Sequence, residues 1–103
     1  MKLLFVCNLG RNRSKTAAEL LQKKHETKYA GILSESNPLT EDIIRWADKI
    51  FCMTKDQYEY IQREFPDLYF RKDIVILNID DVYYFEQDEL IDILKERLRD
   101  YLR

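Results

Sequence analysis

Lys2-Leu3-Leu4-Phe5-Val6-Cys7-Asn8-Leu9-Gly10-Arg11-Asn12-Arg13-Ser14 decides how this chain folds. Lys2 to Val6 is a short apolar run, the pattern of a strand buried on both faces in a parallel sheet. Cys7 to Ser14 then turns polar, and from about Asn12 to His25 the spacing predicts a helix that sends Ala17, Ala18, Leu20 and Leu21 inward. A strand that runs through a tight loop into a helix leaves unpaired backbone N–H groups at the helix start, together with the positive end of its dipole. The chain contains only two glycines, Gly10 and Gly31. One of them falls inside this loop, where a left-handed backbone turn is expected.

Outward from the loop, the strand and helix periods keep alternating. A second strand is expected at Tyr29–Leu33, and Ser34-Glu35-Ser36-Asn37-Pro38 is turn chemistry. Thr40 suits an N-cap, with Glu41 and Asp42 in the first turn of a brief helix ending near Asp48. Lys49 to Met53 reads as a third strand, Thr54 to Gln57 as a capping box, and Tyr58, Ile61 and Phe65 as the inner stripe of a helix that stops at Pro66. Ile74–Ile79 reads as a fourth strand. From about Asp88 a last helix carries Leu90, Ile91, Leu94, Leu98 and Tyr101 on one face. Alternating strands and helices imply right-handed crossovers and an α/β fold whose parallel sheet is covered on both sides. Ligands of such folds bind beyond the carboxyl ends of the strands, which is where Cys7 sits.

Composition narrows the function classes. A chain of 103 residues with 46% hydrophobic and 35% charged residues is expected to form one domain, residues 1–103. The net charge of −2 supplies no global attraction for nucleic acid or for an anionic membrane, so neither is an expected partner. Two cysteines and one histidine build neither a zinc cluster nor a disulfide framework, and no metal or other cofactor is expected. With no leader-like or long apolar segment, the expected compartment is the cytoplasm.

The loop has the parts that phosphoryl chemistry needs. Backbone amides of Asn8, Leu9, Gly10, Arg11 and Asn12 surround a potential oxyanion, and a phosphate or sulfate ion is the expected occupant. Arg13 offers a planar fork that grips two phosphate oxygens, which lysine cannot do. Cys7 lies where a nucleophile would sit under phosphorus, and cations and helix N-termini favour the thiolate form of such a cysteine. Ser14 is placed to donate to that sulfur. A cysteine at a strand end is often only a small core residue. Here it heads a C-x5-R-S pattern set between a strand and a helix.

Cys7 to Ser14, followed by Lys15-Thr16-Ala17-Ala18-Glu19, resembles the loop of the low-molecular-weight protein tyrosine phosphatases, closest to their short prokaryotic branch. The segment from Thr40 to Met53 is similar to that family's middle portion, and Ile79-Asp80-Asp81-Val82-Tyr83-Tyr84 looks like its Pro-Asp-Pro-Tyr-Tyr loop. The resemblance implies a three-layer, flavodoxin-like sandwich with a four-stranded parallel sheet in the order 2-1-3-4. It also implies hydrolysis through phosphocysteine, with Cys7 as nucleophile, Arg13 binding phosphate and Asp81 as general acid. Tyr83 and Tyr84 would wall a flat substrate, either a phosphorylated protein or a small aryl phosphate. They are equally suited to partial burial in the core.

The chain departs from the family pattern at several points. Gly10 replaces an asparagine, and Asn12 stands where many members have a second cysteine. Asp80 and Val82 replace prolines, which makes Asp80 a competitor for the acid role. The chain is also shorter around Asn37–Thr40, where larger relatives wall the site. These departures motivate an alternative, a catalytically weak module that binds a phosphoprotein or nucleotide. Arsenate reduction would need further cysteines, and only Cys52 is present. A Cys7–Cys52 disulfide is conceivable between neighbouring strands. His25, among lysines, reads as solvated.

Overall fold

The computed structural model describes residues 1–101. Its strands are β1 (Lys2–Cys7), β2 (Glu26–Gly31), β3 (Lys49–Cys52) and β4 (Asp73–Ile76). Its helices are α1 (Arg13–Leu21), α2 (Glu41–Trp46), α3 (Lys55–Glu64), α4 (Pro66–Arg71) and α5 (Asp88–Leu98). The strands form one parallel sheet in the order β2-β1-β3-β4, as expected.

Alternation along the central strands sorts the core into two halves. Leu3, Phe5, Cys7, Phe51 and Met53 point to the face covered by α1 and α5, where Ala17, Ala18, Leu90, Leu94 and Leu98 meet them. Leu4, Val6, Ile50 and Cys52 point the other way, toward Ile44 of α2, Ile61 of α3 and Leu68 of α4. Phe5 and Phe51 are partners in the β1–β3 register and stack with ring centroids 5.3 Å apart. This parity settles the disulfide question. Val6 is the register partner of Cys52, so Cys7, one residue further along, projects from the opposite face. Both cysteines are free and buried.

Several boundaries differ from the sequence reading, each for a local reason. β2 begins at Glu26, before the apolar residues, because an edge strand paired only with β1 tolerates the alternation Glu26-Thr27-Lys28. It stops at Gly31, whose N–H donates to the Asn37 carbonyl and whose carbonyl accepts from Ser34 and Leu39. The expected Ile32 and Leu33 therefore lie in the turn. α1 ends at Leu21, short of His25, where the Leu21 carbonyl accepts from the N–H groups of Lys24 and His25. His25 is half-buried, and its Nδ1 is shielded from solvent with no partner among the described residues. Pro66 ends one helix but also starts another, since proline suits the first helical position, and this gives α4. β4 closes at Ile76. Asn78 takes a left-handed φ of 57°, while Leu77 and Ile79 still donate to the carbonyls of Cys52 and Met53. Tyr101 lies beyond α5, edge-on to Phe51 with centroids 6.1 Å apart. Among the described residues no helix is long and apolar enough to cross a membrane.

Candidate active site

The site is built on the β1–α1 connection. Cys7 closes β1 and is buried, and two hydrogen-bond partners converge on its sulfur. The Gly10 N–H lies 3.1 Å away and the Ser14 Oγ 2.9 Å away. The loop wraps the sulfur tightly because Gly10 adopts φ 65°, a conformation costly for any residue with a Cβ. Gly31, the chain's other glycine, lies directly against it: a Cβ on Gly10 would sit 2.9 Å from the Gly31 nitrogen.

Three further contacts hold the loop from outside. The carbonyls of Cys7 and Asn8 accept from Ile32 and Leu33 at 3.0 and 2.7 Å. The Asn8 side chain accepts from Gln57 Nε2 at 2.7 Å. Gln57 is fully buried, and its Oε1 accepts from the N–H and hydroxyl of Thr54. The α3 capping box thus braces the loop. The sequence announced the box, but not the residue its amide would reach.

Arg13 opens α1 and is only 2% exposed. Its Nη1 donates to the Ile79 carbonyl at 2.8 Å, which orients the fork before any ligand arrives. Its Nε lies 3.7 Å from Asp81 Oδ1, and the Asp81 side chain is 54% exposed. Each of the other four helices has an acidic residue in its first turn, whereas α1 has none. The positive field at its start is left for an anion.

The segment after β4 carries the remaining candidate residues. Besides Arg13, it is tied to α1 by Glu86, whose N–H donates to Thr16 Oγ1 at 2.9 Å, and by Lys15, whose Nζ sits 4.6 Å from the Phe85 ring centroid. Thr16 in turn donates to the Asn12 carbonyl, so one hydroxyl joins the β1–α1 loop to the segment that carries Asp80 and Asp81. Asp81 meets Arg13, whereas Asp80 is exposed and has no ion pair among the described residues. The two tyrosines separate: Tyr83 packs against the core, and Tyr84 is 79% exposed. Leu9 and Arg11 are exposed at the rim, while Asn12 is half-buried. Thr16, Gly31 and Gln57 were not foreseen as parts of the site. For Gly31 the rarity of glycine was the available signal.

Neither protein-family models nor curated proteins match this sequence. Solved structures do match the fold. A low molecular weight protein tyrosine phosphatase from Bacillus subtilis superposes with a TM-score of 0.73 at 19% identity, covering all of both chains. The tyrosine phosphatase Wzb from Escherichia coli K30, in complex with phosphate, gives 0.79 at 18% identity over 97% of this chain and 94% of its own. The chain has the low-molecular-weight protein tyrosine phosphatase fold. The YwlE arginine phosphatase from Geobacillus stearothermophilus shares it, with a TM-score of 0.73 at 23% identity over 98% of this chain and 92% of its own.

Two titration shifts bear on the site. Burial pushes the Cys52 thiol up to about 12, so this cysteine is inert at neutral pH. Hydrogen bonding to the Glu19 side chain, with some desolvation, raises the Glu86 carboxyl above the usual range, against an opposing effect of Lys15. Among the described residues no cluster of three or more His, Cys, Asp or Glu is placed to hold a metal ion.

Proposed function

We propose that this protein is a cysteine-dependent phosphatase that hydrolyses phosphotyrosine-like aryl phosphomonoesters through a phosphocysteine intermediate. The observation carrying this reading is one constellation. The Gly10 N–H donates to Cys7 Sγ and Ser14 Oγ lies 2.9 Å from it, Arg13 at the end of the same loop is buried with its fork pre-oriented, and Asp81 is brought to 3.7 Å from that arginine across the fold.

In the first step the Cys7 thiolate attacks phosphorus and the bond to the leaving oxygen breaks. Asp81 donates its proton to that oxygen, a contribution typically worth about 10²–10⁴-fold. Arg13 and the unneutralised start of α1 stabilise the equatorial oxygens as negative charge develops on them. In the second step the Asp81 carboxylate takes a proton from water as the water attacks phosphocysteine. The leaving thiolate is received by the Gly10 N–H and the Ser14 hydroxyl. No metal or cofactor enters the scheme. In support of a covalent step, a YwlE arginine phosphatase with serine in place of its cysteine carries a phosphorylated active-site serine.

The solved relatives include phosphatases for tyrosine and for arginine. Arg11 in the loop and Lys15 just after it favour an aryl ester over a cationic guanidino group. The test is hydrolysis of p-nitrophenyl phosphate, which wild type should turn over. Cys7→Ser should bind phosphate or vanadate without turnover. Tight oxyanion binding by a wild type that never turns over would support the binding-module alternative.

A further inference from the structure

A cleft of about 670 Å³ is lined by residues of the β1–α1 connection, the outer edge of β2, the turn after it, α2 and Phe85. Three of its lining side chains are cationic, Arg11, Lys15 and Lys28, and none is acidic. That concentration stands out in a chain with 17 cationic and 19 acidic residues. The lysines are also held in place, since Lys28 Nζ lies 4.6 Å from the Trp46 ring centroid and Lys15 Nζ 4.6 Å from that of Phe85. Among the described residues no carboxylate forms an ion pair with Arg11, Lys15 or Lys28. Lys15 acts on the Glu86 carboxyl through its field, without an ion pair between them.

We propose that the substrate is an acidic phosphopeptide segment, whose carboxylates next to the phosphorylated residue are held by Lys28, Lys15 and Arg11. This rests on the phosphatase reading above and specifies its substrate class. A peptide fits better than a small bisphosphate for two reasons. The cleft runs along β2, whose residues Thr27, Lys28 and Tyr29 line it and whose outer side pairs with no strand. The loops around the site also expose Leu9, Leu33 and Tyr84, apolar surface that a phosphoryl group alone does not use. Opposite charges across an exposed cleft contribute modestly and are screened by salt.

The experiment compares two phosphotyrosine peptides of equal length, one flanked by glutamates and one by glutamines, alongside p-nitrophenyl phosphate and a small sugar bisphosphate. Wild type should prefer the acidic peptide by about three- to tenfold in kcat/KM, and the preference should shrink in high salt. Lys28→Glu should abolish or invert that preference, while Lys28→Arg should keep it. Both variants should leave p-nitrophenyl phosphate turnover unchanged. Equal rates for the two peptides, an unchanged ratio in Lys28→Glu, or selection of a small bisphosphate over both peptides would overturn the proposal. If wild type turns over nothing, the phosphatase reading fails by itself. The affinity of Cys7→Ser protein for the same two peptides then decides this inference, with tighter binding of the acidic one supporting it and equal or absent binding refuting it.

Discussion

Gly10 and Gly31 pack backbone against backbone. A Cβ on Gly31 would overlap the Gly10 nitrogen and the Leu9 carbonyl carbon, while one on Gly10 would lie 2.9 Å from the Gly31 nitrogen. The end of β2 therefore serves as the wall on which the phosphate loop is shaped, and neither side of the contact can yield by rotating a side chain.

Gly31→Ala follows directly. Its backbone is not in the left-handed region, so alanine is conformationally allowed and the penalty is steric. Overpacking typically costs about 1–3 kcal/mol, and backbone neighbours place this case at the upper end. Urea unfolding should report that loss, and phosphate titration should show weakened binding. Normal phosphate affinity in the variant would show that the loop is shaped without the contact.

Gln57→Leu should disturb the loop from the other side. The substitution removes the amide that reaches Asn8 and the acceptor for Thr54. Buried polar groups left unpaired cost about 1–3 kcal/mol. Chemical denaturation should show that loss together with a raised KM for p-nitrophenyl phosphate.

Thr16→Val removes the hydroxyl that joins the Asn12 carbonyl to the Glu86 N–H. On the proposed reading phosphate is held by the loop itself, so its inhibition constant should change little. The loop bearing Asp81 should loosen, and kcat should fall by about tenfold, a small part of what a positioned acid supplies. Equal losses in phosphate binding and kcat would instead point to a damaged phosphate loop.

Cys7 and Cys52 should behave as unrelated thiols. Burial pushes the Cys52 thiol up to about 12, and it lies on the opposite face of the sheet. Iodoacetamide near pH 7 should label Cys7 alone, with protection by phosphate, and mild oxidation should yield no intramolecular disulfide. Mass spectrometry of the peptides reads both outcomes.

Glu86 predicts a pH dependence of stability. Its carboxyl is raised in the folded state by the Glu19 side chain, so the native state holds a proton the unfolded chain has released. The stabilisation from this pair is complete below the ordinary glutamate range and is lost as pH rises through the raised folded value. Thermal melts should show Glu86→Gln gaining on wild type between acidic and neutral pH. A difference independent of pH would mean that no proton is shared there.

Much of this was legible in the residues. The apolar run into Cys7 located the first strand, and the C-x5-R-S spacing located the loop, because both depend on local chemistry. The sheet order came from the family resemblance. What escaped depends on contacts distant in sequence. Gln57 looked like a helix cap and serves also as a brace for Asn8, and Thr16 looked like an unremarkable helical residue. The polar start of β2 hid because an edge strand needs no continuous apolar run. α4 hid because Pro66 reads as a stop when it is also a start. The resemblance implied Asp81 as the acid with Asp80 as its competitor, and only the fold could show that Asp81, and not Asp80, lies within ion-pair distance of Arg13.

The pH–rate profile of aryl phosphate hydrolysis for wild type, Asp80→Asn and Asp81→Asn tests the central claim most directly. Wild type should turn over, and Asp80→Asn should keep both the rate and the shape of the profile. Asp81→Asn should lose about 10²–10⁴-fold together with the high-pH limb. A wild type without turnover, or a loss confined to Asp80→Asn, would contradict the account.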